Sequence, residues 1–208
     1  MKKNIFLTAV VFAFAGCHVF FTSSPVSGLQ RDISDLSNKD QKIGYAKSIL
    51  GSGDTEAILI AYIEIDKLRA ADPNDSELNL LAAQLAVGAC GMNEIVKSIF
   101  EQGDSADVAL IANDPNLNAA ILANVPVFIN IVLNNGDDVP DSTLAIAAET
   151  SVLLAVRNGV SLTDLENWTP ADGPLSAPAD QTLIDATVFI LAMNDSGGIA
   201  EQLTDFFS

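Results

Sequence analysis

Apolar and polar positions along this 208-residue chain follow the period of an α-helix over most of its length. Residues 55–71 place their apolar side chains three and four positions apart, on one helical face. The members of that face are Ile58, Ala61, Tyr62, Ile65 and Leu68. Residues 38–50, 76–89 and 93–102 follow the same period, and turns rich in Gly, Asp or Pro separate them. The pattern predicts four consecutive helices that form antiparallel pairs.

The second half of the chain is also helical in pattern, but it is more apolar. Residues 116–135 are apolar around the whole helix and contain Pro126, which predicts a kink or a break into two helices. Further helices are predicted at 141–159 and 181–195, with a loop of three prolines at 169–180 between them. Helices that are apolar on all sides lie at the centre of a bundle or face a ligand cavity. We therefore expect an all-α fold whose second half is a buried helical bundle.

Composition favours the same fold class. Apolar residues make up 49% of the chain but aromatic residues only 6%, so Ala, Leu, Ile and Val supply most of the core. Such a composition suits packed helices better than a sandwich or a barrel. The length fits one ordinary domain.

The net charge of −17 excludes nucleic acid as a partner, because no basic surface is present to neutralise phosphates. It also argues against a polybasic membrane patch. The charge is uneven: from residue 98 onward there are sixteen acids and one base, Arg157, a net of −15. The ordinary interpretation of such a segment is a solvated acidic surface.

The amino-terminal segment has the form of an export signal. Lys2 and Lys3 precede an apolar run at 5–15, which is shorter than the roughly 20 residues of a spanning helix. The run ends in "FAGC" at 14–17, which resembles the lipobox of bacterial lipoproteins, with Phe14 where an aliphatic residue is usual. The resemblance implies that residues 1–16 are removed and that Cys17 carries diacylglycerol and an amino-terminal acyl group such as palmitate. Such lipids hold a protein body on a membrane.

Two alternatives to the lipoprotein interpretation stay open. Residues 13–15 read Ala-Phe-Ala, which is also a site for ordinary signal peptidase. Residues 5–21 could instead remain uncleaved as an anchor helix. All three interpretations place the body outside the cytoplasm. We expect residues 17–38 to form the lipidated cysteine and a flexible tether, and residues 39–208 to form a single all-helical domain.

A second resemblance concerns the first half of that domain. "GDTEAI" at 53–58 and "GMNEIV" at 91–96 each lie in a turn between two predicted helices, 38 residues apart. "AADPND" at 70–75 lies where tetratricopeptide repeats place a similar turn between one repeat and the next. Residues 39–102 therefore resemble two degenerate tetratricopeptide-like helix pairs of an α-solenoid, with a buried bundle at 103–208. The alternative is a generic antiparallel helical bundle.

The side chains needed for common catalytic sites are missing from the sequence. The only histidine is His18, next to the predicted anchor, which leaves no Ser-His-Asp arrangement and no common zinc site in the body. Cys90, the cysteine besides Cys17, lies in an apolar stretch and is expected to be a core residue. Hydrolysis by a pair of carboxylates stays open as an alternative, because the chain has many acids. We predict a protein that is not an enzyme and has no cofactor.

Two loops carry the weaker candidates for a site. "NNGDDVPD" brings Asp137, Asp138 and Asp141 together as oxygen ligands that calcium would accept, although capping of the next helix is the ordinary role of such residues. Trp168, the only tryptophan, lies beside the proline-rich loop and is the best single candidate for a partner contact.

These observations predict a membrane-anchored lipoprotein of the bacterial cell envelope, facing the periplasm from the outer membrane. Its expected function is that of a non-enzymatic scaffold for an envelope protein partner. The alternative is a small-ligand-binding accessory, since the chain is similar to tetratricopeptide lipoproteins associated with TRAP-type solute transporters. A cavity lined by Ile121, Phe128 and Phe189 would favour the ligand, and an open face on the second and third helices would favour the scaffold.

Overall fold

The computed structural model describes residues 33–92 and 108–160, together with Ala186, Val188, Phe189 and Ala192. Within these residues every regular element is helical, which confirms the prediction of an all-α fold. A 3-10 turn at Ile33–Asp35 comes first. The α-helices that follow are α1 (Lys39–Ile49), α2 (Thr55–Ala71), α3 (Ser76–Ala89), α4 (Val108–Ala112), α5 (Ala119–Leu122), α6 (Asn124–Asn134) and α7 (Asp141–Arg157).

The first three helices begin at the polar residues that the sequence pattern marks as caps. The side chain of Asn38 accepts a hydrogen bond from the backbone N–H of Asp40 at the start of α1. At the start of α2, Asp54 Oδ1 accepts a hydrogen bond from the backbone N–H of Ala57 at 3.0 Å. At the start of α3, the side chain of Asp75 accepts one from the backbone N–H of Leu78. Each cap satisfies a backbone donor that the helix itself cannot pair. Local chemistry therefore sets where these helices start.

Consecutive helices pack side by side: α1 lies against α2, and α2 against α3. The crossing of α2 and α3 is close because Gly88 has no side chain. A Cβ atom at Gly88 would lie 2.9 Å from Cγ2 of Ile58, which is nearer than real contacts allow. Ala82 and Ala86 on α3 are fully buried in the hydrophobic core cluster.

The long apolar segment at 116–135 is broken in two, as Pro126 predicts. Helix α5 ends at Leu122, and α6 begins at Asn124 with Pro126 in its first turn. The N–H groups in the first turn of a helix have no partner within the helix. Proline, which has no N–H, therefore costs no helical hydrogen bond at this position.

Helix α6 lies across the first half and covers α3. Asn124 Nδ2 donates to the hydroxyl of Tyr62 on α2, at 2.9 Å. At the other end of α6, Asn135 Nδ2 donates to the carbonyl of Asn74, at 3.0 Å. Between them, the guanidinium of Arg69 lies 4.3 Å from the centre of the ring of Phe128. The first half is therefore closed on this side by a helix from the second half.

One boundary differs from its prediction. The tether was predicted to extend to residue 38, but Ile33 is 1% exposed and Leu36 packs against the same core. The 3-10 turn brings these two apolar side chains onto α1 and α2. Burial of apolar surface outweighs the cost of ordering this short segment. The packed body therefore begins by Ile33. No helix in the described ranges combines the length and the apolar character that crossing a membrane requires.

Candidate functional site

Helix α7 is the most enclosed element of the described structure. From Thr143 to Val156 every residue is buried except Ile146, which is half-buried. The described helices that pack closely against it are α4 and α6, and Ala186 and Phe189 belong to the same core cluster. A helix that is buried on every side must be apolar throughout or satisfy its polar groups internally.

Helix α7 does not meet that condition at two neighbouring positions. Glu149 is 2% exposed, and its Oε2 atom has no hydrogen-bond partner among the described residues. The hydroxyl of Thr150, on a residue that is fully buried, has none either. The next residue, Ser151, is buried too, but its Oγ donates a hydrogen bond to the backbone carbonyl of Ala147 at 2.8 Å. This is the usual way in which a buried serine in a helix is paired. Glu149 and Thr150 are therefore the anomaly in this helix, since buried polar groups are normally paired.

Burial raises the pKa of Glu149 well above its ordinary value of 4.5. Loss of hydration disfavours the charged carboxylate, and no cation among the described residues offsets this effect. The uncharged form is favoured as a result. A protonated carboxyl has a donor and an acceptor, so Glu149 has hydrogen-bonding capacity that the described chain leaves unused.

The described residues offer no cation to pair with Glu149. Helices α4 and α6 contain no ionisable side chain, and α7 has only Asp141 and Arg157 besides Glu149. Arg157 is the one base from residue 98 onward, and its Nη1 donates to the carbonyl of Ala112 at 2.7 Å. It lies eight residues along the helix from Glu149, about 12 Å at the usual rise.

Basic side chains of the first half are engaged elsewhere. Each base in the described part of that half forms an ion pair with an acid of the same half. The pairs are Lys39–Asp75, Lys42–Glu64, Lys47–Glu77, Lys67–Glu64 and Arg69–Asp66. Among the described residues, every base except Arg157 therefore lies on α1 or α2.

The residues predicted to line a cavity lie in the core. Phe128 is 3% exposed and Phe189 is fully buried, and Ile121 is half-buried against the same cluster. They share one core cluster with the buried residues of α7. Their role in lining a ligand cavity stays a prediction.

The acidic loop is tied to the first half rather than gathered around an ion. Asp137 accepts a hydrogen bond from the hydroxyl of Ser76, the first residue of α3. Asp138 is exposed, and Asp141 is the first residue of α7. Within the described part of the chain no three His, Cys, Asp or Glu side chains are placed to hold a metal ion. The geometry gives the calcium prediction no support.

Two predicted residues cannot be placed in the fold. Cys17 and Trp168 lie outside the described residues. The structure does identify an apolar surface that the sequence pattern missed: Ile60 and Ile63 on α2 are 40% and 45% exposed. Neither residue belongs to the buried face of α2 that the helical period predicts. Two apolar residues outside that face are a signal from which the sequence could have identified this surface.

Glu149 was also missed, although the sequence contains a signal for it. It is the only acid between Asp141 and Asp164, in the middle of a run of Ala, Leu and Val. Comparison with known proteins adds nothing to this signal: no family model, no curated protein and no solved structure matches the chain.

Proposed function

We propose that this chain is the body of a lipid-anchored envelope protein that binds a small molecule at α7. The observation that carries the proposal is Glu149, a carboxyl that is 2% exposed and has an unpaired oxygen. An unpaired buried polar group lowers the free energy of unfolding by about 1–3 kcal/mol. A ligand that pairs with it offsets this cost and stabilises the folded state.

The packing of the first half favours a ligand over a scaffold. A scaffold was expected to expose a face on both α2 and α3. Nine of the fourteen residues of α3 are buried, and α6 packs along it. Phe128, one of the predicted lining residues, is enclosed between the two halves.

The location of the protein rests on the sequence. Lys2 and Lys3, the apolar run and the "FAGC" segment support export and lipid attachment at Cys17. We therefore place the body in the periplasm, held to the outer membrane by its lipid. The same sequence supports binding without catalysis, because His18 is the only histidine.

A thermal-shift experiment tests ligand binding with the full-length protein in detergent. A low-molecular-mass extract of the cell envelope should raise the melting temperature, because a ligand of the folded state stabilises it. Glu149→Met should abolish the shift. The matched control Glu56→Met, at an exposed position of α2, should preserve it. An extract that shifts the melting temperature of none of the three proteins, or of all three equally, contradicts the proposal.

Ile60 and Ile63 support a second candidate function, docking of a protein partner on the outer face of α2. They lie one helical turn apart and are exposed. Cross-linking in membranes followed by isolation of the protein should capture a partner, and Ile60→Asp with Ile63→Asp should prevent capture. Ala70→Asp places a charge on an exposed residue of the same helix and serves as the control. Equal capture by both variants excludes this surface.

A further inference from the structure

We infer that the ligand held by Glu149 is an organic amine, with a protonated nitrogen on an otherwise apolar body. The inference rests on the proposed function, since it names the class of molecule bound at the same position. Three features of the site support it: the absence of a cation among the described residues, the apolar surroundings and the charge of the second half.

The missing cation is the first feature. Arg157, the one base from residue 98 onward, is bonded to the carbonyl of Ala112. The bases of the described first half are paired with acids there. Among the described residues no base is therefore available to pair with Glu149, and a bound ligand can supply the cation. An ammonium group supplies N–H donors to a carboxylate, and such charge-assisted bonds are about twice as strong as neutral ones.

The surroundings of Glu149 indicate what the rest of the ligand must be like. The positions one turn before and after it on α7 share its face. They are Ala145, Ile146, Val152 and Leu153, all apolar, and all buried except the half-buried Ile146. A ligand that reaches Glu149 therefore meets aliphatic side chains over most of its surface. Thr150 adds one further polar atom, an unpaired hydroxyl.

The electrostatic field of the second half selects against other ligands. A net charge of −15 beyond residue 98 attracts cations and repels anions, so a ligand carrying a carboxylate or phosphate is disfavoured. A divalent metal ion needs several carboxylate or imidazole ligands, and the described residues offer no such group of three. A monovalent organic cation is the class that fits one carboxyl in an apolar helix.

Binding should also move a proton. The O–H bond of the protonated carboxyl breaks when the ammonium group arrives, the carboxylate pairs with the ammonium, and the proton passes to the buffer. Because burial favours the protonated form in the free protein, up to one proton should be released per ligand bound. This readout belongs to the buried carboxyl, since an exposed carboxylate is already ionised at neutral pH.

Calorimetric titration of the full-length protein with matched probes tests the inference. Benzylamine, benzyl alcohol and benzoate share one body, and n-butylamine, n-butanol and butyrate share a smaller one. We expect one of the amines to bind at least tenfold more tightly than its alcohol, and benzoate and butyrate to bind more weakly still. Repeating the titration in buffers of different ionisation enthalpy should reveal the released proton.

The variants separate this inference from the proposed function. Glu149→Gln should remove the preference for the amine and the proton release while retaining affinity for the alcohol. Glu56→Gln, at an exposed position, should change neither. Glu149→Met provides a second variant, and circular dichroism confirms that both are folded. If both alcohols bind as tightly as the amines, the amine inference is overturned although ligand binding stands. Amine affinity that is unchanged in Glu149→Gln, or no binding of either amine, also overturns it.

Discussion

Glu64 and Glu149 are two buried glutamates in very different environments. Glu64 on α2 is 8% exposed and accepts hydrogen bonds from Lys42 and Lys67, which hold its pKa below the ordinary value. Glu149 has no such partner, and burial raises its pKa. The surroundings of Glu64 therefore favour its charged form, whereas the surroundings of Glu149 favour its neutral form. The same residue type is a structural ion pair in one half and an unpaired group in the other.

This difference predicts how Glu149 affects stability as the pH changes. Its pKa is raised in the folded state, so the folded protein binds a proton that the unfolded chain releases above pH 4.5. The stability that this proton contributes is complete below that value and is lost as the pH rises towards the folded-state pKa, by about 1.4 kcal/mol per pH unit. Glu149→Gln should flatten this part of a denaturation–pH profile. Glu56→Gln should not flatten it, and identical slopes in both variants would contradict the prediction.

A second prediction at the scale of one residue concerns Cys17. If Cys17 carries the lipid, mass spectrometry of the mature protein should find an amino terminus at Cys17 with added acyl mass. Cys17→Ala should release the body from membranes, because a lipid chain contributes about 0.8 kcal/mol per buried methylene. Cys90→Ala changes a buried thiol and should leave the anchoring unchanged. A terminus at Gly16, or an intact Met1, contradicts the prediction.

At the scale of elements, glycines determine how the helices connect. Gly53 and Gly91, 38 residues apart in the two similar segments, both have left-handed backbone, with φ of +69° and +87°. Gly91 also lies against the 116–118 segment, since the N–H of Asn118 donates to the carbonyl of Cys90 at 2.8 Å. Gly136 and Gly159 have the same left-handed backbone, which is common where helices end, so the resemblance to tetratricopeptide repeats stays a prediction.

Alanine at three glycines should give three different results. At Gly91 it would combine an unfavourable φ with a Cβ only 2.8 Å from the carbonyl oxygen of Asn116, so we expect a loss of about 2 kcal/mol or more. At Gly53 the φ is unfavourable but the space is open, so the loss should be about 1 kcal/mol. Gly44 lies inside α1 with free space, and alanine there should add about 1 kcal/mol. Thermal unfolding measures all three, and a different order would contradict the assigned causes.

Across the whole molecule, the charges are segregated by sequence half. The bases of α1 and α2 pair with acids of the first half, while the second half has a net charge of −15 and a highly buried core helix. The many acids of the second half repel one another in the folded state. Such repulsion lowers the stability of the folded state and is weakened by salt.

Added salt should therefore raise the melting temperature, and any monovalent salt should serve. Calcium at matched ionic strength should give no additional gain, because Asp137 is bonded to Ser76 and the described acids do not form a metal site. Differential scanning fluorimetry in sodium, potassium and calcium chlorides measures this. A calcium-specific rise that disappears when Asp137→Asn is combined with Asp138→Asn would show that the loop binds the ion after all.

Sequence alone determined the class of the fold and the ends of many helices. Helical periodicity, the capping residues Asp54 and Asp75, and the break near Pro126 act over a few residues, and these interactions are local. Composition needs no structure either, and it marked an acidic second half. The segment at Ile33 was assigned incorrectly because its burial depends on distant residues.

Only the tertiary structure decided which polar residues are buried and with whom. No local pattern indicates that α6 covers α3 through Asn124 and Tyr62, because these residues lie 62 positions apart. The burial of Glu149 is a second case. The sequence marks it as a lone acid within an apolar helix, but the packing of α4 and α6 against α7 contributes to removing its water. Hydration depends on everything that surrounds a side chain, so the sequence could mark this residue but could not show that it is buried without a partner.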